Sequence, residues 1–234
     1  MILKYIVLML CIAVLCPTVL AQKGSNYRDY DRRDFHFGFA MGLNQASFNY
    51  IASPVKFNDL TVVNVNIKPT IGAHLGPVVS WDINEFIHIR TLLPCLSFQE
   101  RIFEYWYYLD NTLLQKEFRL ESTYLEFPLM FKLRTKRINN FAAYGLTGWQ
   151  YSLDLASNKK NKSEDFVVRI QQHDWAMQFG GGFDFFPSNY FKFAIELKIS
   201  HGLKNVLIQD QSFFSSPLDL LKTNVWWFSI SFEG

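Results

Sequence analysis

The chain has 234 residues, with 23 Lys and Arg against 21 Asp and Glu and a formal net charge of +2. So weak a charge argues against nucleic acid as a partner, and beyond residue 21 no stretch reaches the roughly 20 apolar residues of a spanning helix. Mean hydropathy is only +0.01 although 17% of residues are aromatic, as expected of strands with one face in lipid and the other in a polar interior.

Residues 1–5 carry one cation, Lys4, and 6–15 form an almost unbroken apolar run, followed by Val19, Leu20, Ala21 and Gln22. Small or apolar residues three and one places before a cut resemble a signal-peptidase site, so a signal peptide is predicted over 1–21, cleaved after Ala21, with export from the cytoplasm. The run is too short for an uncleaved anchor, and Pro17 interrupts it. Cys11 and Cys16 fall in this segment, and neither follows the small residue that a lipoprotein site requires. Cys95 is then the only mature thiol, and an internal disulfide is excluded. Residues 22–34 are polar and charged, with Arg28, Asp29, Asp31, Arg32, Arg33 and Asp34 close together, and read as a flexible periplasmic leader.

At Phe35 the chain becomes FHFGFAMGLN, with Phe35, Phe37, Phe39, Met41 and Leu43 on one parity and His36, Gly38, Ala40, Gly42 and Asn44 on the other. That is a strand with one apolar face. A second strand is predicted over 67–83, with Ile71, Ala73, Leu75, Val79, Trp81 and Ile83 on the apolar parity, then a tight turn at Asn84 and Glu85. The third, 86–108, slips parity near Leu92 to Pro94, where a bulge is predicted. The fourth, 115–134, places Leu125, Phe127, Leu129, Phe131 and Leu133 opposite Tyr124, Glu126, Met130, Lys132 and Arg134. A lysine facing mid-bilayer lipid costs roughly 2–4 kcal/mol, so the charged parity faces inward or to the rim. Further strands are predicted over 141–155, 166–186, 191–203 and 224–232.

Eight strands close a small barrel. The predicted fold is all-β, an eight-stranded antiparallel up-and-down transmembrane barrel over 35–234, with short periplasmic turns and longer outer loops. No internal repeat, low-complexity tract or linker divides it. Tyr105, Trp106, Tyr107, Tyr108, Trp149, Trp175, Trp226 and Trp227 fall toward outer strand ends and Trp81 toward an inner one, resembling aromatic girdles. A soluble sandwich or lipocalin-like barrel also alternates, but it buries its larger side chains inward.

Three segments carry a family resemblance: FHFGFAMGLNQASF from Phe35, YLEFPLMFKLRTKR from Tyr124 and ELKISHGLKN from Glu196. They resemble the PorT/SprT family, within a broader group of small outer-membrane barrels of Bacteroidetes that share the YLE-x-PL segment. Proteins of that family are required for type IX protein secretion and, in species that glide, for gliding. The resemblance therefore implies a role in secretion, with other type IX components as partners, and it brings no catalytic residues.

An eight-stranded interior is about wide enough to be filled by its own side chains, so a cargo pore is excluded and an accessory or assembly role is expected. Arg90, Glu126, Lys132, Asp154, Asp184, Glu196 and Lys198 mix both signs at inward positions and are predicted to neutralise one another in a structural network, with an ion pathway as the alternative. Candidate contact surfaces are the leader 27–34, the basic turn 134–137 with Arg134, Lys136 and Arg137, and the last loop 204–224 with Phe213 and Phe214.

An enzyme reading rests on His173 and His201 at the outer rim beside Asp174 and Ser200, but adjacent strand residues face opposite ways, which disfavours nucleophile and base pairing. His36, His74 and His88 show no metal-ligand spacing, and neither a cofactor nor a small-molecule substrate is expected. Gly180, Gly181 and Gly182 lie within a strand, leaving room for bulky lumen neighbours or a bend. The competing function is an adhesin-like surface-binding or purely structural barrel.

Overall fold

The computed structural model describes residues 30, 32–57, 60–110, 112–156, 168–187, 190–209 and 213–234. The signal peptide with its cleavage after Ala21, most of the leader, and the lysine-rich segment 158–162 lie outside them. The strands are β1 (Phe35–Ala52), β2 (Val55–Phe57), β3 (Leu60–Asp82), β4 (Ile87–Leu92), β5 (Cys95–Leu109), β6 (Thr112–Arg134), β7 (Phe141–Asp154), β8 (His173–Phe185), β9 (Lys192–Gly202) and β10 (Leu218–Glu233). No helix among the described residues is long and apolar enough to cross a membrane, which says nothing of crossing by strands.

Every neighbouring pair is antiparallel, and the ring closes. β1 pairs with β10 on one side and β3 on the other. β4 and β5 lie end to end between β3 and β6, so together they form one stave of the wall. The ladder continues from β6 through β7, β8 and β9 to β10. Among the described residues the wall thus has eight staves, with short β2 folded against the outer end of β3. The break between β4 and β5 falls at Leu93 and Pro94, where proline brings no ladder donor, as the parity slip predicts.

Alternation sets the facing of each stave. On β1 the odd residues from Phe35 to Leu43 point outward, Phe37 being 63% exposed, while His36, Ala40 and Asn44 are buried inside. On β6, Phe127, Leu129, Phe131 and Leu133 face outward, and Tyr124, Glu126, Met130 and Lys132 face inward. β9 repeats the pattern, with Ile195 and Leu197 outside and Lys192, Ala194, Glu196, Lys198 and Ser200 inside.

The staves outrun the membrane. A spanning strand needs about 9–11 residues, whereas β3 and β6 have 23 each. Several expected loops are therefore strand: 60–66 joins β3, 112–114 joins β6 and 218–223 joins β10. The β5–β6 turn shrinks to 110–111, with Asp110 at φ 48°. Conversely, β8 begins at His173 and not at 166.

Above the lipid-facing band the polarity of the wall inverts. Between Pro69 and Ala73, three β3 residues oppose two of β5, and this slip flips the facing so that Val65 and Ile67 turn inward and Lys68 turns out. The inward side chains Phe48, Val62, Phe103, Tyr105, Leu120, Leu218 and Leu221 then pack with Val168, Ile170, Val206, Leu207 and Phe214 from the outer connections. An apolar cap closes the outer mouth.

Candidate functional site

The lumen is built in layers, and the deepest charge cluster lies near the end where β1 starts and β10 finishes. There β4, β9 and β10 bring Arg90 between two carboxylates: one guanidinium nitrogen meets Glu196, and the other lies 3.1 Å from Glu233. Glu233 also accepts from Lys192 Nζ at 2.9 Å and Ser80 Oγ at 2.7 Å. Glu196 accepts from the Tyr144 hydroxyl at 3.0 Å and pairs with Lys198 at 3.1 Å. Lys132 Nζ lies 2.8 and 2.7 Å from the two Asp184 oxygens and 3.6 Å from the Tyr144 ring centroid. All of these charged side chains are buried. At such burial each charge costs several kcal/mol to desolvate, so they hold only as a mutually compensated set.

Glycine makes the room. A methyl at Gly182 would run into the Tyr144 ring and one at Gly180 into Lys198, so these positions fit the bulky-neighbour reading of the run.

The next layers outward are neutral or mixed. His74 Nε2 is 2.9 Å from Ser229 Oγ, and Asn44 donates to Ser97 Oγ at 3.2 Å. Gln99 donates to Glu126 at 3.1 Å and accepts from Arg101 at 2.6 Å. Gln178 and Trp227 both donate to Ser200 Oγ, at 2.8 and 2.7 Å. Arg101 lies 4.4 Å over the Phe48 ring, at the floor of the apolar cap. Between Arg101, Glu126 and Asp174 the remaining cavity is about 10 Å³, room for one water at most. Among the described residues the interior at that height is packed, with no through-channel.

A second cluster seals the other mouth. His36 Nε2 and His88 Nδ1 approach the two oxygens of Asp82, at 3.4 and 2.6 Å. Tyr30 stacks on His36 at 3.7 Å and meets the edge of Phe186 at 5.6 Å, with Lys192 Nζ 5.4 Å from its ring. Burial pushes the Tyr30 hydroxyl well above the ordinary phenol range, so it stays protonated. No group of three or more His, Cys, Asp or Glu among the described residues is arranged to hold a metal.

A closed eight-stave ring, with apolar residues outward at mid-height and charges inward, is the arrangement of a membrane barrel. A family model described as outer membrane protein beta-barrel domain matches residues 20–207. The chain belongs to that family. This barrel lies in the outer membrane, with the Phe35 end of β1, the Glu233 end of β10 and the turns 83–86 and 135–140 on the periplasmic side and the longer connections outside. Solved structures of similar fold include the outer membrane protein OprG from Pseudomonas aeruginosa, 13% identical, with a TM-score of 0.49 over 90% of this chain and 98% of that one. Ail, the attachment invasion locus protein of Yersinia pestis, solved with the heparin analogue sucrose octasulfate, is 12% identical, with a TM-score of 0.40 over 86% and 100%. The N-terminal beta-barrel domain of Pseudomonas aeruginosa OprF is 10% identical, with a TM-score of 0.38 over 83% and 97%. No curated protein sequence matches the chain.

The structure brings five of the seven lumen residues read from sequence, Arg90, Lys132, Asp184, Glu196 and Lys198, into the barrel's inner cluster. Glu126 lies farther outward with Gln99, and Asp154 farther still, accepting from the Ala156 amide at 2.9 Å. Lys192 and Glu233 are central members of that cluster that sequence reasoning missed, and it also missed Arg101 in the layer farther out. Lys192 shares the inward parity of Glu196 and Lys198, which was the available signal.

At the contact surfaces, Lys136 is exposed, Arg134 donates to the Glu85 carbonyl at 3.3 Å, and Arg137 lies 3.3 Å over the Phe186 ring. Phe214 is 1% exposed and fills the outer mouth as part of the cap, while Phe213 is half-buried against it. The girdle needs a similar correction. Trp81, Trp149, Trp175 and Trp226 do face outward, but Tyr105 is buried in the cap and Trp227 in the lumen. At the outer rim, His173 Nδ1 meets the Tyr151 hydroxyl at 2.7 Å and His201 Nδ1 lies 3.3 Å from Asn49, while Asp174 and Ser200 turn into the lumen.

Proposed function

We propose that this barrel serves type IX protein secretion as a non-enzymatic accessory or assembly component, not as the cargo pore. The observation that carries the second half of that reading is the filled lumen: apolar cap, hydrogen-bonded middle and ion-paired base leave no path for a polypeptide. The first half rests on the PorT/SprT resemblance, whose three segments fall on β1, β6 and β9. Those strands supply His36 and Asn44, Glu126 and Lys132, and Glu196 and Lys198 to the interior. The resemblance therefore covers lumen-building positions as well as the lipid-facing alternation that any such barrel shares. With the interior closed, action falls to surfaces, and the periplasmic leader and the turn bearing Lys136 are the ones proposed to meet secretion partners.

One observation favours a second reading, a surface-binding barrel without a secretion role. The outer β5–β6 tip exposes Tyr108, Leu109, Leu113 and Leu114, well beyond the lipid band. A clean deletion with plasmid complementation separates the two. Selective retention of type IX cargo in the periplasm, restored by complementation, with other outer-membrane proteins unaffected, is the expected result. Normal cargo export in the deletion strain would reject the secretion role and leave the surface-binding barrel.

A further inference from the structure

We propose that the outer rim of the wall over β9, β10 and β1 is a headgroup site for one class of lipid, a phosphorylated glycolipid of the outer leaflet, with Lys222 and His201 holding its phosphate. Buried residues fix the facing of the three strands there. Ala46 and Phe48 on β1, Thr223 and Val225 on β10, and Ser200 on β9 point inward, so Ser47, Asn49, Lys222, Asn224 and His201 lie on the exterior. Register brings them together: Asn49 stands opposite Lys222, and Asn224 lies between Ser47 on one side and His201 on the other. Farther down the same strands, toward mid-membrane, the exterior becomes apolar with Trp226, Phe228, Leu197 and Leu43. The polar group therefore sits at headgroup height, just above an interfacial tryptophan.

Two details give this group the chemistry of an anion site. Asn49 Nδ2 lies 3.3 Å from His201 Nδ1, a contact that reaches from β1 across β10 to β9. An amide nitrogen only donates, so Nδ1 accepts, and the ring proton is left on Nε2 as a donor for a ligand. Lys222, opposite Asn49, makes no ion pair among the described residues, whereas the exposed Lys68 of β3 is held by Glu104.

The far side of the ring carries the reverse charge. Where β5 and β6 leave the lipid band, Glu100 and Glu121 stand opposite one another on the exterior, and carboxylates repel a phosphate. The site is therefore one-sided. A lipid fits it better than a soluble anion because the polar group runs directly into the apolar wall. One molecule can set its phosphate on Lys222 and His201, its sugar hydroxyls on Asn49, Asn224 and Ser47, and its acyl chains along Trp226, Phe228 and Leu43. This assignment does not depend on a role in secretion.

The test titrates bisphosphorylated lipid A into the full chain folded in detergent micelles and reads bound lipid by native mass spectrometry, folding being verified by heat-modifiable gel migration. Lys222→Gln combined with His201→Gln should weaken binding by about tenfold or more, through loss of two donors to a charged group. Lys68→Gln, which removes an exposed lysine on another part of the wall, should stay within about twofold of the unmutated chain. Lipid A stripped of its phosphates tests the idea without any variant, and it should bind the unmutated chain about tenfold more weakly. Equal affinity of the double variant and the unmutated chain, or of the two lipids, would overturn the proposal. Displacement of lipid A by an equimolar amount of inorganic phosphate would overturn it too, because the site would then hold a soluble anion and owe nothing to lipid.

Discussion

Replacing Arg90 with methionine is expected to destabilise the folded barrel by about 3–5 kcal/mol, the usual cost of removing one partner from a buried ion pair. The side chain is 2% exposed and is the only group to touch both Glu196 and Glu233 among the described residues. Without it, Glu233 retains Lys192 and Glu196 retains Lys198, but two buried carboxylates at the base of the lumen lose their shared cation. The loss should be read from urea unfolding out of phospholipid vesicles. If charge imbalance is the cause, the pair Arg90→Met with Glu196→Gln should recover a substantial part of it, since the coupling between contacting residues is what a double-mutant cycle isolates. A double variant as unstable as the two single losses added together would mean that Arg90 acts through packing and not through its charge.

Phe103→Ala is expected to cost about 3–5 kcal/mol as well, for a different reason. Phe103 is fully buried in the cap, with ring centroids of Phe118 at 5.1 Å, Phe48 at 5.9 Å and Tyr105 at 6.4 Å. The cap lies outside the lipid band, so its cohesion rests on removing apolar surface from water, as in a soluble core. The variant should therefore show an early loosening of the outer end. Proteolysis in the outer connections should rise before the membrane-embedded staves unfold. Phe98→Ala, on the outward parity of the same stave and 44% exposed, leaves no internal cavity and should lose far less. Equal losses at the two positions would show that the cap contributes nothing special.

The difference between these two regions explains what was legible in the sequence. Within the membrane, lipid enforces one apolar parity, so β1, β6 and β9 could be read residue by residue, and the break at Leu93 and Pro94 showed as a parity slip. Beyond the membrane the same strands follow the opposite rule, apolar inside and charged outside, as with Val65 and Ile67 in the cap and the exposed Lys68, paired with Glu104, on the exterior. The slip at Pro69 to Ala73 shifts the period in the same place. Two rules joined in one strand cancel the alternation, which is why 60–66 and 218–223 read as loop.

The lumen cluster was visible where charges alternate with lipid-facing residues, as at Glu126 and Lys132. Arg101 was hidden because the facing of its strand was ambiguous past the bulge. Glu233 lies at the last strand position, where a carboxylate reads as rim. Tyr30 belongs to no periodic segment at all; its contacts with His36, Phe186 and Lys192 join parts of the chain that only the fold brings together.

The central claim is that this outer-membrane barrel is closed by its own side chains, so that whatever it does it does with its surfaces. Single-channel recording of the purified full chain in planar bilayers tests this most directly. The closed lumen predicts a flat baseline, without discrete conductance steps, across moderate voltages of either sign. Stable, ion-selective steps from the unmutated protein would contradict it, and would turn the buried charges from a structural network into a conduction pathway.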